Sequence, residues 1–520
     1  MKPTMFFLMN SIDIDRGGLT RASLKQASFF AEMGYDTQML TFHFNPKYPL
    51  IRKKLIEMGK VHKNVVIRNM YEELAGDDEN LDVPSSPNIV SFDELSKGLP
   101  FDKREGHNAY RVYDNGLYVK YISFHEDGTL DFIDYFNENR YRTRRESYDL
   151  WGNIKRVSYM DFTLNKPRQI IYYNSRGQAY FTQWKNPKNG KTQRILLFDK
   201  GGTLSKTYIN DVVSPKVDWL KAVVDNNKKN GKSVVVSDTR STDETLIELN
   251  HPRVAKIWRL HSNHLNSPYR LDSEIAPKVK KGYNNIDKFD AVTFLTQEQK
   301  YDVMNRVGEK SNIHVIPHFH EEPGFSIKSL FNSVVKKPKT AVVISRLSSL
   351  KRIDHIIKAF EIAIKTVPDA DLEIWGIGQE ESKLKQLVAD LNLEESVHFK
   401  RYTHTPDREY QQGSFSVLTS KSEGFALSVL ESMYNKTPVI SYNIRYGPSD
   451  MIVNNENGFL VEEKNIHELA SKMVYLFQNP KEAKKMGERA KKHIEKHFNK
   501  SKYKQDWLEV IDSAIKNKFN

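Results

Sequence analysis

The chain has 520 residues, too many for one hydrophobic core, and 39% of them are apolar, so two or three globular domains are expected and a disordered or fibrous chain is excluded. Its 79 Lys and Arg against 66 Asp and Glu give a net charge of +13, which favours a polyanionic partner, and the lack of cysteine excludes a disulfide framework and a thiolate metal site. No stretch is apolar for long enough to span a bilayer, and the opening MKPTMFFLMNSIDID turns acidic before a signal-peptide core develops, so a cytoplasmic protein is expected.

An apolar strand from Met5 to Met9 leads to a loop holding Gly17 and Gly18, a helix from Thr20 to Met33 and a second strand from Thr37 to Phe42, a βαβ unit. The paired glycines lack the G-x-G-x-x-G spacing of a dinucleotide fold and come late after the strand, which argues against NAD. They either let the backbone approach a ligand closely or form a plain turn before the helix. From Asp77 to Leu204 aromatic and β-branched alternation replaces the helical pattern, broken by turn signals at Asp114 to Gly116, Glu126 to Gly128, Ser175 to Gly177 and Asn186 to Gly190. This predicts an antiparallel meander inserted in an α/β domain. Its aromatics suit cross-strand packing better than a binding face, and the cluster RYRTRR (Arg140 to Arg145) suits an intersubunit face or a polyanion track.

Alternation of strand and helix resumes at Ser233, and the segment VVKKPK reads as a linker to a second doubly wound domain starting at Thr340. There an apolar strand from Ala341 to Ser345 ends in a polar turn flanked by Arg346 and Lys351, followed by an amphipathic helix. A fixed guanidinium and a mobile ammonium leaving one strand end suit a diphosphate. Gly376 and Gly378 suggest a nucleotide fingerprint, although Glu381 occupies the third glycine position. In EGFALSVLE, Glu423 and Glu431 stand eight positions apart; a helix starting near Ala426 puts Glu423 and the N–H groups of Phe425 to Leu427 at its positive end, where phosphates or sugar hydroxyls bind. The strings DID (Asp13 to Asp15) and DAD (Asp369 to Asp371) mimic a metal motif but stand in a loop and before a strand, so both are discounted. The closing helices are amphipathic, with Trp507 and Leu508 set to pack back on the body.

Together, Arg346, Lys351, Glu423 and Glu431 resemble the donor site of retaining family-4 glycosyltransferases. With the inserted β domain, the opening RGGLTRAS and the later ISYNIRYGPSDMI, the chain is most similar to bacterial wall teichoic acid α-glycosyltransferases, especially the poly(glycerol-phosphate) α-glucosyltransferases. Enzymes that add N-acetylglucosamine to poly(ribitol-phosphate) or to serine-rich surface proteins share much of the pattern. The resemblance implies an α/β GT-B fold: residues 1–76 and 205–330 as the first Rossmann-like domain, 77–204 as the insert, 331–500 as the nucleotide-sugar domain and 501–520 as a helix packing back. It implies that Arg346 and Lys351 hold the donor diphosphate, Glu431 the ribose hydroxyls and Glu423 the sugar, with donors from Phe425, Ala426 and Leu427. Arg401 and Tyr402 would pack on uracil, His261 would touch the donor sugar, and Gly17 and Gly18 would lie near the donor phosphates and the acceptor. Read alone, a histidine at a strand end is more often structural. The implied partners are UDP-glucose without a metal, a glycerol-phosphate polymer, further copies of the chain, commonly as trimers through the insert, and the anionic inner face of the plasma membrane. The competing reading is a non-enzymatic polyanion-binding protein; no nucleic-acid module is recognisable, so nucleic acid is not an expected partner.

Overall fold

The structure is a computed structural model that describes residues 2–14, 19–77, 90–227, 231–320 and 334–519. Gly17 and Gly18 lie outside the described residues. The chain gathers into two compact units, Met1–Lys256 and Ile257–Asn520.

In the first unit, the strands Val65–Asn69, Thr37–Thr41, Thr4–Met9 and Ser233–Ser237 lie side by side and parallel in that order. Thr4–Met9 is buried along its whole length, as its unbroken apolar run requires of a strand covered on both faces. The helix Leu19–Glu32 seals one face, its Phe30 ring 5.5 Å from Phe7. The insert is a ten-stranded antiparallel sheet from Phe101 to Ile209 whose strands follow one another in chain order, as a meander must. Its turns form where the sequence signals them. Asn115 (φ 46) and Gly116 (φ 81) make a two-residue hairpin loop, and Gly128, Gly177 and Gly190 also take positive φ.

Most of the sheet's aromatics pack on one another, Tyr118 stacking on Phe136 at 4.4 Å and Phe92 meeting Tyr110 at 4.2 Å. The basic cluster is corrected by the structure. Arg142 and Arg145 both pair with the buried Asp134, Arg145 at 2.7 Å, while Arg144 pairs with the buried Glu146 at 2.9 Å. Arg144 and Arg145 also lie over the rings of Tyr135 and Phe132 at 3.9 and 3.7 Å. These three guanidiniums share two buried carboxylates within the sheet, so most of their charge is compensated there and the cluster is a weaker basic track than charge alone suggests.

In the second unit, the strand ending at Arg259 runs parallel to Ala291–Phe294, and that strand to Ile313–Val315. A separate parallel sheet has the order Val397–Lys400, Asp371–Trp375, Thr340–Ile344, Phe415–Leu418, Val439–Tyr442, Gly458–Val461. The helix Ile353–Ile364 covers it with Ile353, Ile356, Ile357 and Phe360, all buried at helical spacing. The helix Lys500–Phe519 closes the unit; Trp507 is fully buried, 5.2 Å from the Arg259 guanidinium, and Leu508 is half-buried. Among the described residues no helix is long and apolar enough to cross a membrane.

Candidate active site

The six-stranded sheet changes direction of growth between Thr340–Ile344 and Phe415–Leu418, and ligands of doubly wound sheets bind outside the carboxyl ends of the strands at such a point. Arg346 and Lys351 follow the first of these strands, and Glu423 follows the second. Lys351 Nζ donates to Glu423 Oε1 at 2.5 Å, and Ser420 Oγ donates to the same oxygen at 2.6 Å. Both charged side chains are about 15% exposed, which leaves them reachable while shielding the pair from bulk water. Arg346 stands exposed beside them in sequence.

Backbone packing fixes these loops. Thr419 Oγ1 donates to the carbonyls of Lys351 and Arg352 at 3.0 and 2.8 Å, tying the two strand-end loops together. A Cβ at Gly376 would meet the Ser345 carbonyl at 1.9 Å and one at Gly378 the Leu347 carbonyl at 2.1 Å. These two glycines therefore let a neighbouring loop press on the backbone that carries Arg346, a role for which no third glycine is needed.

Gly424 is equally constrained: its Cβ would stand 2.1 Å from the His261 carbonyl oxygen. His261 is thus brought against the loop that holds Glu423. Its half-buried ring stacks on His318 at 5.7 Å, and His318 meets Phe425 at 5.4 Å. The helix Leu427–Tyr434 begins one residue beyond the expected start, because Ala426 takes φ 65 and does not itself enter the helix. Phe425 and Ala426 are buried, whereas Leu427 is exposed. Glu431 is half-buried on this helix, and its charge helps to push up the Tyr410 hydroxyl, whose pKa is raised first by burial. Arg401 and Tyr402 are exposed beyond Val397–Lys400; Tyr402 meets His404 edge-on at 4.9 Å, and among the described residues no hydrogen bond joins either to Lys351 or Glu423.

Several positioning residues escape sequence motifs. The N–H of Glu423 donates to the Arg445 carbonyl and the N–H of Tyr446 to the Glu423 carbonyl, each at 3.1 Å. Asn263 Nδ2 donates to Ser422 Oγ at 2.8 Å and to the Arg445 carbonyl at 3.2 Å. Behind them the buried Asp302 accepts from Arg445 Nε at 2.7 Å and from the Tyr446 hydroxyl at 2.8 Å. Tyr446 and Arg445 belong to the string NIRYGPSD, the one signal that pointed here; nothing local marks Asp302.

Residues 327–493 match the family described as Glycosyl transferases group 1, and residues 6–197 match Glycosyl transferase 1 domain A. The poly(glycerol-phosphate) alpha-glucosyltransferase of Bacillus subtilis is 26% identical over 98% of this chain and 75% of its own length. The poly(ribitol-phosphate) alpha-N-acetylglucosaminyltransferase of Staphylococcus aureus is also 26% identical, over 98% of this chain and 99% of its own. The crystal structure of TarM superposes with a TM-score of 0.81 at 25% identity, covering 98% of this chain and 99% of that one. In sequence and fold the chain fits the teichoic acid α-glycosyltransferases. Its fold is GT-B, with the antiparallel sheet inserted in the first half as the sequence predicts. The Lys351–Glu423 pair lies in the part that matches the group 1 glycosyl transferases.

A titrating carboxyl stands close by, on the short helix Pro448–Met451. Asp450 accepts from the Gln297 N–H at 2.8 Å, and burial pushes its carboxyl up to about 6. The folded state therefore holds this proton more tightly than the unfolded chain, so the stability it contributes is full below about pH 4 and is lost as pH rises through about 6. Asp450→Asn is expected to remove that slope, read as the difference in melting temperature between pH 4 and pH 7.

Proposed function

We propose that this chain transfers α-glucose from UDP-glucose to poly(glycerol-phosphate) with retention of anomeric configuration. The observation that carries the reading is the Lys351–Glu423 pair at the switch point, with Arg346 on the adjoining strand end. In the proposed reaction the bond from the sugar's anomeric carbon to the UDP oxygen breaks, and a bond to the acceptor hydroxyl oxygen forms on the same face. The acceptor proton passes to the departing phosphate oxygen. Lys351 and Arg346 supply positive charge where negative charge grows, and fixed charge of this kind lowers the barrier more than any other contribution such a site can make. Glu423 orients the sugar hydroxyls and Glu431 accepts from the ribose hydroxyls, so no metal is invoked. Arg401 and Tyr402 would flank the uracil, and His261 the sugar.

A second reading, N-acetylglucosamine transfer to poly(ribitol-phosphate), is favoured by one observation: the match spans 99% of that relative but 75% of the glucosyltransferase. Purified protein given each labelled UDP-sugar with each polymer, in the presence of a chelator, decides between them. Glucose incorporation into poly(glycerol-phosphate) is the expected result. Incorporation of N-acetylglucosamine into poly(ribitol-phosphate) alone establishes the second reading, and no transfer from either donor overturns both. We further propose that the enzyme works at the inner face of the plasma membrane and self-associates through the insert.

A further inference from the structure

In the first unit, where the strand Thr37–Thr41 ends against the inserted sheet, there is a cavity of about 290 Å³. Arg156, Tyr172 and Phe181 stand opposite one another on three adjacent strands and line its floor, with Gln183 two positions on along the same face. Lys185 and Lys216 complete the wall. Three cations thus face one space, and its described lining includes no Asp or Glu.

The neighbouring cations show how unusual this is. Lys155, one residue before Arg156, pairs with Asp77 at 2.5 Å, and the guanidiniums of Arg142, Arg144 and Arg145 all rest on buried carboxylates. Among the described residues Arg156, Lys185 and Lys216 have no ion-pair partner. Arg156 donates to Ser147 Oγ at 3.2 Å and lies 5.0 Å from the Phe44 ring, but its buried Nε donates to nothing. Lys216 lies over the face of Phe42 at 5.6 Å. Burial lowers the Lys185 pKa, and the like charge of Arg156 lowers it further; burial also lowers that of Lys216, against a partial pull from Glu244. Partly desolvated like charges without a counter-ion are costly, and the missing charge is one that a ligand can bring.

The ring faces exclude a nucleobase as that ligand. Tyr172 is already in ring contact with Tyr71 at 4.7 Å and Phe44 at 5.1 Å, and with Phe181 at 5.5 Å, leaving edges and an amide in place of an open stacking platform. A phosphate flanked by small hydroxylated carbons fits both the charge and the volume.

We propose that this cavity holds a phosphodiester of the acceptor polymer, as a subsite separate from the donor site. The proposal rests on the reading of the substrate as a polyol-phosphate chain. Its test is titration of synthetic oligo(glycerol-phosphate), and of inorganic phosphate as the free-ion probe, into the full-length protein and into Lys185→Ala, Lys216→Ala and the double variant. Each single change is expected to weaken oligomer binding roughly tenfold and the pair roughly a hundredfold, the loss of one and two charge-assisted contacts. In turnover the same variants should raise KM for polymer, and Lys185→Arg with Lys216→Arg should restore it. Unchanged melting temperature keeps the loss from being one of folding. If the wild type binds the oligomer and the double variant binds it equally, the subsite is overturned while the proposed activity stands. If inorganic phosphate binds as tightly as the oligomer and is lost in the double variant, the cavity is a free-phosphate site and the polymer assignment is overturned. If wild type binds no oligomer and transfers sugar to none, the substrate reading itself falls.

Discussion

Lys351→Ala is expected to lower kcat by on the order of 10²-fold or more, and Glu423→Gln to do nearly the same, because in the proposed reaction each acts on charge that develops only as the sugar–phosphate bond breaks. The 2.5 Å contact between them adds a stricter expectation. Two groups that position one another act as a unit, so the double variant should be little worse than the poorer single one. Additive losses would mean that the pair is a resting-state contact that donor binding dissolves. Glu431→Gln should behave differently, raising KM for the donor with kcat largely kept, since the proposed ribose contact would be made before and during reaction. Steady-state kinetics on the four variants, with folding followed by circular dichroism, measures all of this. Near-wild-type turnover for both Lys351→Ala and Glu423→Gln would place the chemistry elsewhere.

Asp302→Ala should be the most destabilising single change near the site. Asp302 is 2% exposed and takes two hydrogen bonds, from Arg445 Nε and the Tyr446 hydroxyl. Burial and the Asp302 charge push the Tyr446 hydroxyl pKa far up, so the tyrosine remains a donor throughout the working range. Removing the carboxylate leaves the partly buried Arg445 with only the longer 3.8 Å contact to Glu298 and the Tyr446 hydroxyl without its acceptor, a loss of about 3 kcal/mol, or about 6–12 °C in melting temperature for a unit of this size. Activity should fall beyond what unfolding explains, because the Arg445 carbonyl receives the N–H of Glu423. Asp302→Asn keeps an acceptor for the tyrosine and should recover part of the stability. A melting temperature within about 2 °C of wild type for Asp302→Ala would remove this anchor from the account.

Local placement was legible in the sequence. Arg346, Lys351 and Glu423 fall in the loops that follow apolar strands, as the strand–turn pattern predicts, and Asn115–Gly116 form a turn because a two-residue hairpin admits few residue pairs. What stayed hidden depends on partners distant in sequence. RYRTRR reads as free charge until Asp134 and Glu146, met across or along strands, are seen to take up half of it. Gly376 and Gly378 look like half a phosphate motif because their real constraint, the carbonyls of Ser345 and Leu347, lies some thirty residues upstream. Asp302 carries no local pattern, since its partners are 143 and 144 residues away. Arg156, Lys185 and Lys216 come from two strands and a helix start, so their convergence follows only from the register of the sheet.

The hydrogen bond from Asn263 to Ser422 joins positions 159 residues apart, and Gly424 seats itself on His261 over a similar span. A ribosome adding about 5–20 residues per second needs about 8–30 s to make that length of chain. Throughout that interval the insert can already fold on the growing polypeptide while the catalytic loop has no template to close upon. Nascent or prematurely terminated chains that stop short of Thr419 would carry a complete antiparallel sheet and no Glu423.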